Sequence, residues 1–487
     1  MSTFVAPTIL IGEDEECGEP AENVRKNPFK NGKATVWLKT GVKSLARKCR
    51  IVDDNDDGKA NLVQTIFNIT NANTGTGILA MPFVIRLGGY WGLGLIILIG
   101  IMGNYTGKIL VGLLYEENQD GTRIRVRDSY ADIGEDFDSR FGRYMVHWVN
   151  CFEQTTHCVL LLIMPGTLIA NTFPSTNLDE SAWIGILSLF IIPSIFLRKM
   201  LQVTWTSVVS VSVAIVISLT VLAYSFTHRM QLSDEIMPDF DFHITPISIG
   251  IVMVSYSSQA YLPAIERCMR DPELFNSLMD FSYTVVTGFK FAIGIAVYIA
   301  FSDKTHQVMT LNLPHNAVGY LMNIGAVVLA LAFYPVPMFA VFDIIENQIT
   351  LPASLQSILD TGEEEEEDEE GKEGAVEAEG EIRGGTGMSV RIWNANTLYR
   401  FIVVMLFITV GVAVPHFSLL MSFIGSTTGI TLVLIYPCLF NLKINWLKLS
   451  NLSKTLNFLV IGFSVVAMVL GVHSAARAFY TVYNEKF

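Results

Sequence analysis

The sequence predicts an all-α membrane protein with eleven transmembrane helices, and three observations support that fold class. Of its 487 residues, 51% are hydrophobic and only 16% are charged, whereas about a quarter of the residues in a soluble domain are charged. Between the charged clusters lie apolar stretches of roughly 20 residues, the length that a helix needs to cross a bilayer. The Lys and Arg residues of the connecting segments are concentrated on alternate sides of the predicted membrane.

The first predicted element is a polar tail formed by residues 1–60. Acidic patches at 13–16 and 53–57 flank a basic stretch at 39–50. Because this composition cannot bury a core, we expect a disordered tail on the cytosolic side. The tail has no apolar run after a basic start, so we expect no signal peptide and an insertion directed by the first span.

The transmembrane domain is predicted to cover residues 61–480. Its apolar segments lie near 62–85, 90–115, 144–171, 182–198, 202–226, 246–266, 279–302, 317–346, 398–414, 416–440 and 455–480. With the N-terminus in the cytosol, Lys and Arg favour the inside by roughly five to one, as the positive-inside rule requires. Eleven spans then place the short C-terminus, 481–487, on the luminal or extracellular side.

Residues 350–396 interrupt the domain with a low-complexity acidic loop on the cytosolic side. Its run of glutamates cannot form a packed core. One interpretation is a solvated linker. The alternative is a segment, 361–385, that binds a cytosolic partner.

The first span has a polar centre, Asn71 to Gly77, within the run NLVQTIFNITNANTGTGILAMPFVI. Gly and Thr are poor helix formers, and a non-helical stretch is tolerated at membrane depth only inside protein or along a cavity. A break there would expose main-chain N–H and C=O groups beside the hydroxyls of Thr74 and Thr76. These groups could hold an amino acid without a charged side chain.

The sixth span has a similar centre, Ser255 to Gln259, followed by Pro263 in the run PISIGIVMVSYSSQAYLPAIE. Paired interruptions at matching positions are typical of transporters built from two inverted repeats. The sequence therefore predicts a five-plus-five inverted repeat with broken helices 1 and 6, plus an eleventh helix. Ordinary packing of small residues between helices is the alternative.

Charged side chains within spans are costly and so are functional candidates. Glu153 and His157 lie four residues apart on one face of the third span, where they could share a proton or form a structural polar contact. Lys290 in the seventh span and Lys108 in the second could be paired or could extend toward the interface. Glu266, at the cytosolic end of the sixth span, fits either a gate or an ion pair at the membrane edge.

The sequence lacks motifs of other functional classes. It has no GxSxG, HExxH or Walker motif, which argues against an enzyme or an ATP-driven pump. The six cysteines form no CxxC pair, and we expect neither a metal site nor a nucleic-acid partner. We expect no cofactor; a proton gradient would supply the energy, and dependence on chloride is left open.

Several stretches resemble the amino acid/auxin permease family over residues 61–480. The most specific are GGYWGL (88–93), LLYEENQDGTRIRVRDSYADI (113–133), VSYSSQAYLPAIE (254–266), YPVPMFA (334–340) and VPHFSLLMSFIGSTTG (414–429). The resemblance implies a substrate site at the two broken helices, with an acidic residue at Glu153 and a basic residue at Lys290. The candidate substrate-binding residues are Asn71, Thr74, Gly75, Thr76, Gly77, Tyr256, Ser257, Ser258 and Gln259.

Within the family, the chain resembles the vesicular members that load GABA and glycine. This implies a proton-coupled carrier of a small neutral amino acid, embedded in the lipid of a vesicle membrane. The stretch TGILAMP after Gly75 is closer to α-amino acid carriers, so a plasma-membrane or lysosomal symporter is an alternative. A third hypothesis is a sensor that binds an amino acid without transporting it.

Overall fold

In a computed structural model, the structure describes residues 61–118, 120–192, 203–227, 237–348, 395–414 and 416–484. The predicted N-terminal tail, the acidic segment 361–385 and the last three residues lie outside these ranges. Residues 193–198, the last six of the fourth predicted span, also lie outside them.

The described residues are helical except for connecting loops and one short hairpin. The helices are α1 (Leu62–Thr74), α2 (Met81–Gly112), α3 (Tyr130–Phe137), α4 (Gly142–Thr172), α5 (Glu180–Ser188), α6 (Val203–Thr227), α7 (Thr245–Ser255), α8 (Leu262–Arg267), α9 (Phe275–Phe301), α10 (Ala317–Phe333), α11 (Pro335–Gln348), α12 (Ala395–Ala413), α13 (Phe417–Ile424), α14 (Tyr436–Ile444) and α15 (Asn451–Asn484). The strands β1 (Tyr115–Glu117) and β2 (Arg123–Arg125) pair antiparallel. Two π-helical segments, Gly425–Gly429 and Thr431–Ile435, join α13 to α14.

Among the described residues, seven helices are long and apolar enough to cross a membrane. They are Gly77–Gly112, Gly142–Thr172, Ser210–Thr227, Pro272–Lys304, Ala317–Phe342, Phe417–Ile444 and Asn451–Asn484. These correspond to the second, third, fifth, seventh, eighth, tenth and eleventh predicted spans. A helical, multi-pass membrane protein is therefore confirmed.

The other four predicted spans fall short of this length for separate reasons. The first and sixth are interrupted, the ninth is the short apolar helix Tyr399–Ala413, and the fourth is only partly described. The total of eleven and the inverted repeat stay predictions.

Gly89 reverses the chain between the first and second predicted spans. Its φ of 51° and ψ of −129° interrupt α2, and this positive φ strongly favours glycine. A Cβ at this position would lie 2.2 Å from the carbonyl oxygen of Pro238. The glycine therefore allows both the reversal and the close packing of the loop before α7.

α4 connects the two ends of the helical bundle. It begins beside α3, where Gly142 packs directly against the main chain of Gly134, and it ends at Thr172. We call the end that carries β1, β2 and α3 the hairpin end, and the end at which α4 stops the far end. The distribution of Lys and Arg predicts that the hairpin end faces the cytosol.

Candidate functional site

The first interruption follows Thr74, the last residue of α1. Gly75 has a φ of 43° and a ψ of −152°, and its N–H donates the closing helical bond to the carbonyl of Asn71 at 2.9 Å. A short 3-10 turn, Gly77–Ala80, then leads into α2. The predicted break in the first span is confirmed from Gly75 onward, whereas residues 71–74, which were also expected to be non-helical, form the last turn of α1.

The second interruption separates α7 from α8. Helical structure stops at Ser255 and resumes at Leu262. Between them the Ser258 N–H donates to the Tyr256 carbonyl, and the Tyr261 N–H donates to the Ser258 carbonyl, each at 2.9 Å. The predicted break in the sixth span is confirmed; it begins one residue later than the sequence indicated, because Ser255 is still helical, and it ends two residues later, at Tyr261.

The two interruptions lie against each other. A Cβ on Gly77 would approach the Ser255 Cβ to 2.5 Å and the Ser255 Cα to 2.7 Å. The absence of a side chain at residue 77 is what allows this contact. The break in the first span and the end of α7 therefore form one continuous site.

The ammonium of Lys290 joins the two broken helices. Its Nζ donates to the Asn73 carbonyl at 2.7 Å, to the Ser255 carbonyl and to the Ser255 Oγ at 3.2 Å. The last carbonyls of a helix lack helical partners and carry partial negative charge. Nζ also lies 3.6 Å from the centre of the Tyr256 ring, in cation–π geometry.

Lys290 thus differs from the sequence-based expectation. Its side chain is fully buried, so it does not extend toward the interface. Within the described ranges, no carboxylate lies within 4 Å of its ammonium. The breaks expose main-chain groups as expected, but two of those carbonyls are bound by a charged side chain. Lys108, in contrast, pairs with Asp280 near the surface.

Glu153 of α4 faces the second interruption. Its carboxylate is buried, and Oε1 accepts a hydrogen bond from the Ser257 hydroxyl. In the described structure Oε2 has no hydrogen-bond partner. The adjacent Gln154 accepts a hydrogen bond from the Tyr261 hydroxyl at 2.6 Å. α4 therefore contacts both sides of the second interruption.

The expected pairing of Glu153 with His157 is not formed. The two residues are one turn apart on α4, yet no ion pair within 4 Å joins them. The donor to Oε1 is instead the Ser257 hydroxyl of the second interruption, and Oε2 accepts no hydrogen bond in the described structure. His157 is half-buried on the same helix.

The other predicted residues of the second interruption brace it against neighbouring helices. The Tyr256 hydroxyl donates to the Thr287 Oγ1 at 2.9 Å, and its ring stacks on Tyr283. The Ser258 and Tyr283 hydroxyls are hydrogen-bonded at 2.9 Å. Gln259 donates to the Gly103 carbonyl of α2 at 3.3 Å. These side chains position the break, whereas Ser257 faces Glu153.

The predicted residues of the first interruption surround the end of α1. Asn71 and Thr74 are buried, and Gly75 and Thr76 are half-buried. The structure thus brings the end of α1 close to α7 and Lys290. At the hairpin end, Glu266 contacts Arg125 and Tyr115 instead, so it is separate from this cluster.

A cavity of about 610 Å³ opens at the far end. Its lining residues come from α4, α5 and the loops that precede α10 and α13: Thr167, Asn171, Asp179, Glu180, Ser181, His306, Gln307, Leu311 and His416. No set of three or more His, Cys, Asp or Glu side chains in the described part of the chain could hold a metal ion.

Sequence reasoning identified Lys290 but missed the other residues on the face of α9 that supports the site, Tyr283 and Thr287. Tyr283, Thr287 and Lys290 are spaced at i, i+4 and i+7, so they lie on one side of a helix. Each contacts Ser255, Tyr256 or Ser258. This polar stripe in an apolar span was the signal that could have identified them.

Two interrupted membrane helices joined around a buried polar centre define a carrier-type membrane protein. The model of the family described as transmembrane amino acid transporter protein matches residues 58–476. The chain belongs to this family, whose members are transporters and not enzymes.

Relatives with assigned names support the same family. The vesicular inhibitory amino acid transporter of Xenopus tropicalis is 32% identical over 84% of this chain and 76% of its own length. The vesicular inhibitory amino acid transporter of Homo sapiens is 31% identical over 91% of this chain and 81% of its own length. The vesicular GABA transporter of Caenorhabditis elegans is 25% identical over 89% of this chain and 83% of its own length.

A solved manganese transporter from Eremococcus coleocola is similar with a TM-score of 0.48 and 11% identity, covering 86% of this chain and 88% of that one. A similarity at this level indicates neither a shared substrate nor a shared ion.

Proposed function

We propose that the protein is a proton-coupled secondary transporter of small neutral amino acids, such as GABA or glycine. The observation that carries this proposal is the buried Glu153 carboxylate, with one unpartnered oxygen, beside two interrupted helices. A buried acceptor without a donor is costly, so Oε2 is suited to a proton or to the ammonium group of a substrate.

The names of the relatives support the substrate class and the location. Inhibitory amino acids and GABA are the substrates named for the transporters of frog, human and nematode. Their names also place them on vesicles. We therefore propose a vesicle membrane as the location of this protein.

The geometry provides a route to coupling. The N–H groups that begin the turn at Gly77 lack helical partners and favour an anion, which suits the substrate carboxylate. The substrate ammonium and a proton would compete for Oε2 of Glu153. One oxygen cannot bind the substrate ammonium and a proton at the same time. Binding of substrate on one side of the membrane and of a proton on the other would therefore exchange substrate for a proton. Lys290 would keep the two half-helices together in either state.

The proposal is tested with purified protein in proteoliposomes whose interior is acidic. We expect the wild-type protein to accumulate labelled glycine or GABA against its gradient. Glu153→Gln removes the titratable carboxylate but keeps a similar shape. We expect it to lose about tenfold or more of the gradient-driven uptake while retaining exchange of amino acid for amino acid.

The matched control is Glu117→Gln, which makes the same change at an exposed position of β1. Uptake by this variant should equal that of the wild type. Amino acid flux that ignores both the proton gradient and the Glu153→Gln change would contradict proton coupling. Saturable binding without any flux would instead favour a sensor.

An α-amino acid carrier is the second candidate. The observation that favours it is the direct contact of Gly77 with Ser255, which leaves little room between the half-helices and suits a short substrate. Inhibition of labelled glycine uptake by unlabelled alanine, serine or GABA distinguishes the two candidate functions. Stronger competition by alanine than by GABA would favour the α-amino acid carrier.

A further inference from the structure

A buried ion pair links the hairpin to α8, the helix after the second interruption. Both oxygens of the Glu266 carboxylate are bound: Arg125 donates to Oε2 and the Tyr115 hydroxyl donates to Oε1. Arg125 also donates to the carbonyl of Pro263 in the first turn of α8, at 3.3 Å. Glu266 is only 1% exposed and the Arg125 side chain 19%, so solvent screens this pair weakly.

Tyr115 lies beyond the end of α2 and keeps its proton. Burial, followed by the hydrogen bond to Glu266, raises the pKa of the Tyr115 phenol to about 12. The phenol therefore donates to Glu266 throughout the physiological pH range. The carboxylate receives one charged and one neutral donor, both from residues of the hairpin.

The other side of the hairpin is fixed to the bundle. Arg127 binds Asp136 and Glu116, and it donates to the Leu113 carbonyl at the end of α2 at 2.7 Å. The Tyr130 hydroxyl donates to the Leu432 carbonyl in the second π-helical segment at 2.8 Å. The hairpin is therefore a rigid support, and Arg125 and Tyr115 extend from it.

α8, in contrast, is a short helix that a non-helical stretch separates from α7. The Tyr261 hydroxyl, one residue before α8, contacts Gln154 beside Glu153. A displacement of α8 would pull Tyr261 and Ser257 away from α4. The position of α8 is thus coupled to the environment of the Glu153 carboxylate.

We propose that Arg125, Tyr115 and Glu266 form a latch that closes the hairpin end of the central site and must open once in each transport cycle. This inference rests on the proposed transport function. It assigns Arg125 and Tyr115 as positioning residues for α8. The latch lies at the hairpin end, on the opposite side of the bundle from the cavity at the far end.

The latch is tested by the chemical reactivity of a buried position on α8. Leu262 is fully buried. Leu262→Cys, in a background in which Cys17, Cys49, Cys151 and Cys268 are replaced by serine so that only buried native thiols remain, reports opening through its rate of modification by a maleimide in nanodiscs. We expect Arg125→Gln and Glu266→Gln each to raise this rate about tenfold or more. The first leaves the buried Glu266 carboxylate without its charged partner, and the second removes the charge that holds Arg125 against α8, while Arg125 keeps its contact with Asp128.

Three controls make the outcome specific. Arg140→Gln removes an exposed arginine at the same end and should leave the rate unchanged. The double variant Arg125→Gln/Glu266→Gln should react no faster than the faster single variant, whereas independent effects would multiply. Cys158 of α4, fully buried, should stay unreactive in every variant, which distinguishes opening of α8 from unfolding.

If the charge variants also expose Cys158, the milder Tyr115→Phe decides the question. It removes one hydrogen bond and should raise the rate at residue 262 severalfold with Cys158 still protected. Unchanged modification at residue 262 in folded variants would overturn the latch. Because the assay needs no substrate, a protein that moves no amino acid but shows the expected rates would reject the transport function and keep the latch.

Discussion

At the scale of single residues, Lys290 is the side chain that connects the two broken helices. Its ammonium satisfies carbonyls at the ends of both α1 and α7, which would otherwise face each other without donors. Glu153 has a different character, because one of its oxygens is left without a donor. We propose that the first residue stabilises the site and that the second exchanges a proton for the substrate.

Lys290→Met tests this structural role. The change leaves two buried carbonyls unsatisfied, at about 1–3 kcal/mol each. The removal of a desolvated charge offsets part of that cost. We expect the free energy of unfolding to fall by about 2 kcal/mol, measured as a lower midpoint of thermal unfolding in detergent, together with loss of transport.

Lys108→Met is the matched control for Lys290→Met. Its ion pair with Asp280 is partly exposed, and such pairs contribute about 0–1 kcal/mol. This variant should unfold close to the wild-type midpoint. Equal stability of Lys290→Met and the wild-type protein would mean that the ammonium does not hold the half-helices together.

At the scale of elements, the contact between the two interruptions depends on a glycine. Gly77→Ala would place a Cβ 2.5 Å from the Ser255 Cβ, and overpacking of this kind costs about 1–3 kcal/mol. We expect the half-helices to separate, with reduced uptake in proteoliposomes and a lower midpoint of thermal unfolding.

Gly94→Ala provides the comparison on α2. Nothing lies within 4 Å of a Cβ at that position, and alanine favours helix by up to about 1 kcal/mol over glycine. Its midpoint should be unchanged or slightly higher, with normal uptake. Equal behaviour of the two alanine variants would contradict close packing at the break.

The sequence predicted the elements better than their contacts. Asn, Thr and Gly in the middle of an apolar span are a local signal, so both interruptions could be located. The partners of Lys290 could not be identified, because the Asn73 carbonyl is 217 positions away along the chain. The contact between Arg125 and Glu266 could not be identified for the same reason, because the two residues are 141 positions apart along the chain. Such contacts depend on how the helices pack in three dimensions. The positions of charged residues along the sequence do not show which helices come into contact.

At the scale of the whole molecule, α4 connects the hairpin end with the far end. Glu153 lies near its middle, and Thr167 at the far-end cavity is about 21 Å further along the helix axis. The ion pair of Arg125 with Glu266 lies at the hairpin end, and the cavity lies at the far end. We propose that alternating access displaces α8 from the hairpin in another state.

The central claim is that an amino acid binds where the two interrupted helices meet. Cryo-electron microscopy maps of the protein in nanodiscs, with and without saturating glycine or GABA, test this most directly. We predict additional density between Gly75–Gly77 and Ser257, in reach of the Glu153 carboxylate, with Lys290 bound to both half-helices. Continuous helices through residues 74–80 and 255–261, or ligand density away from both breaks, would contradict the account.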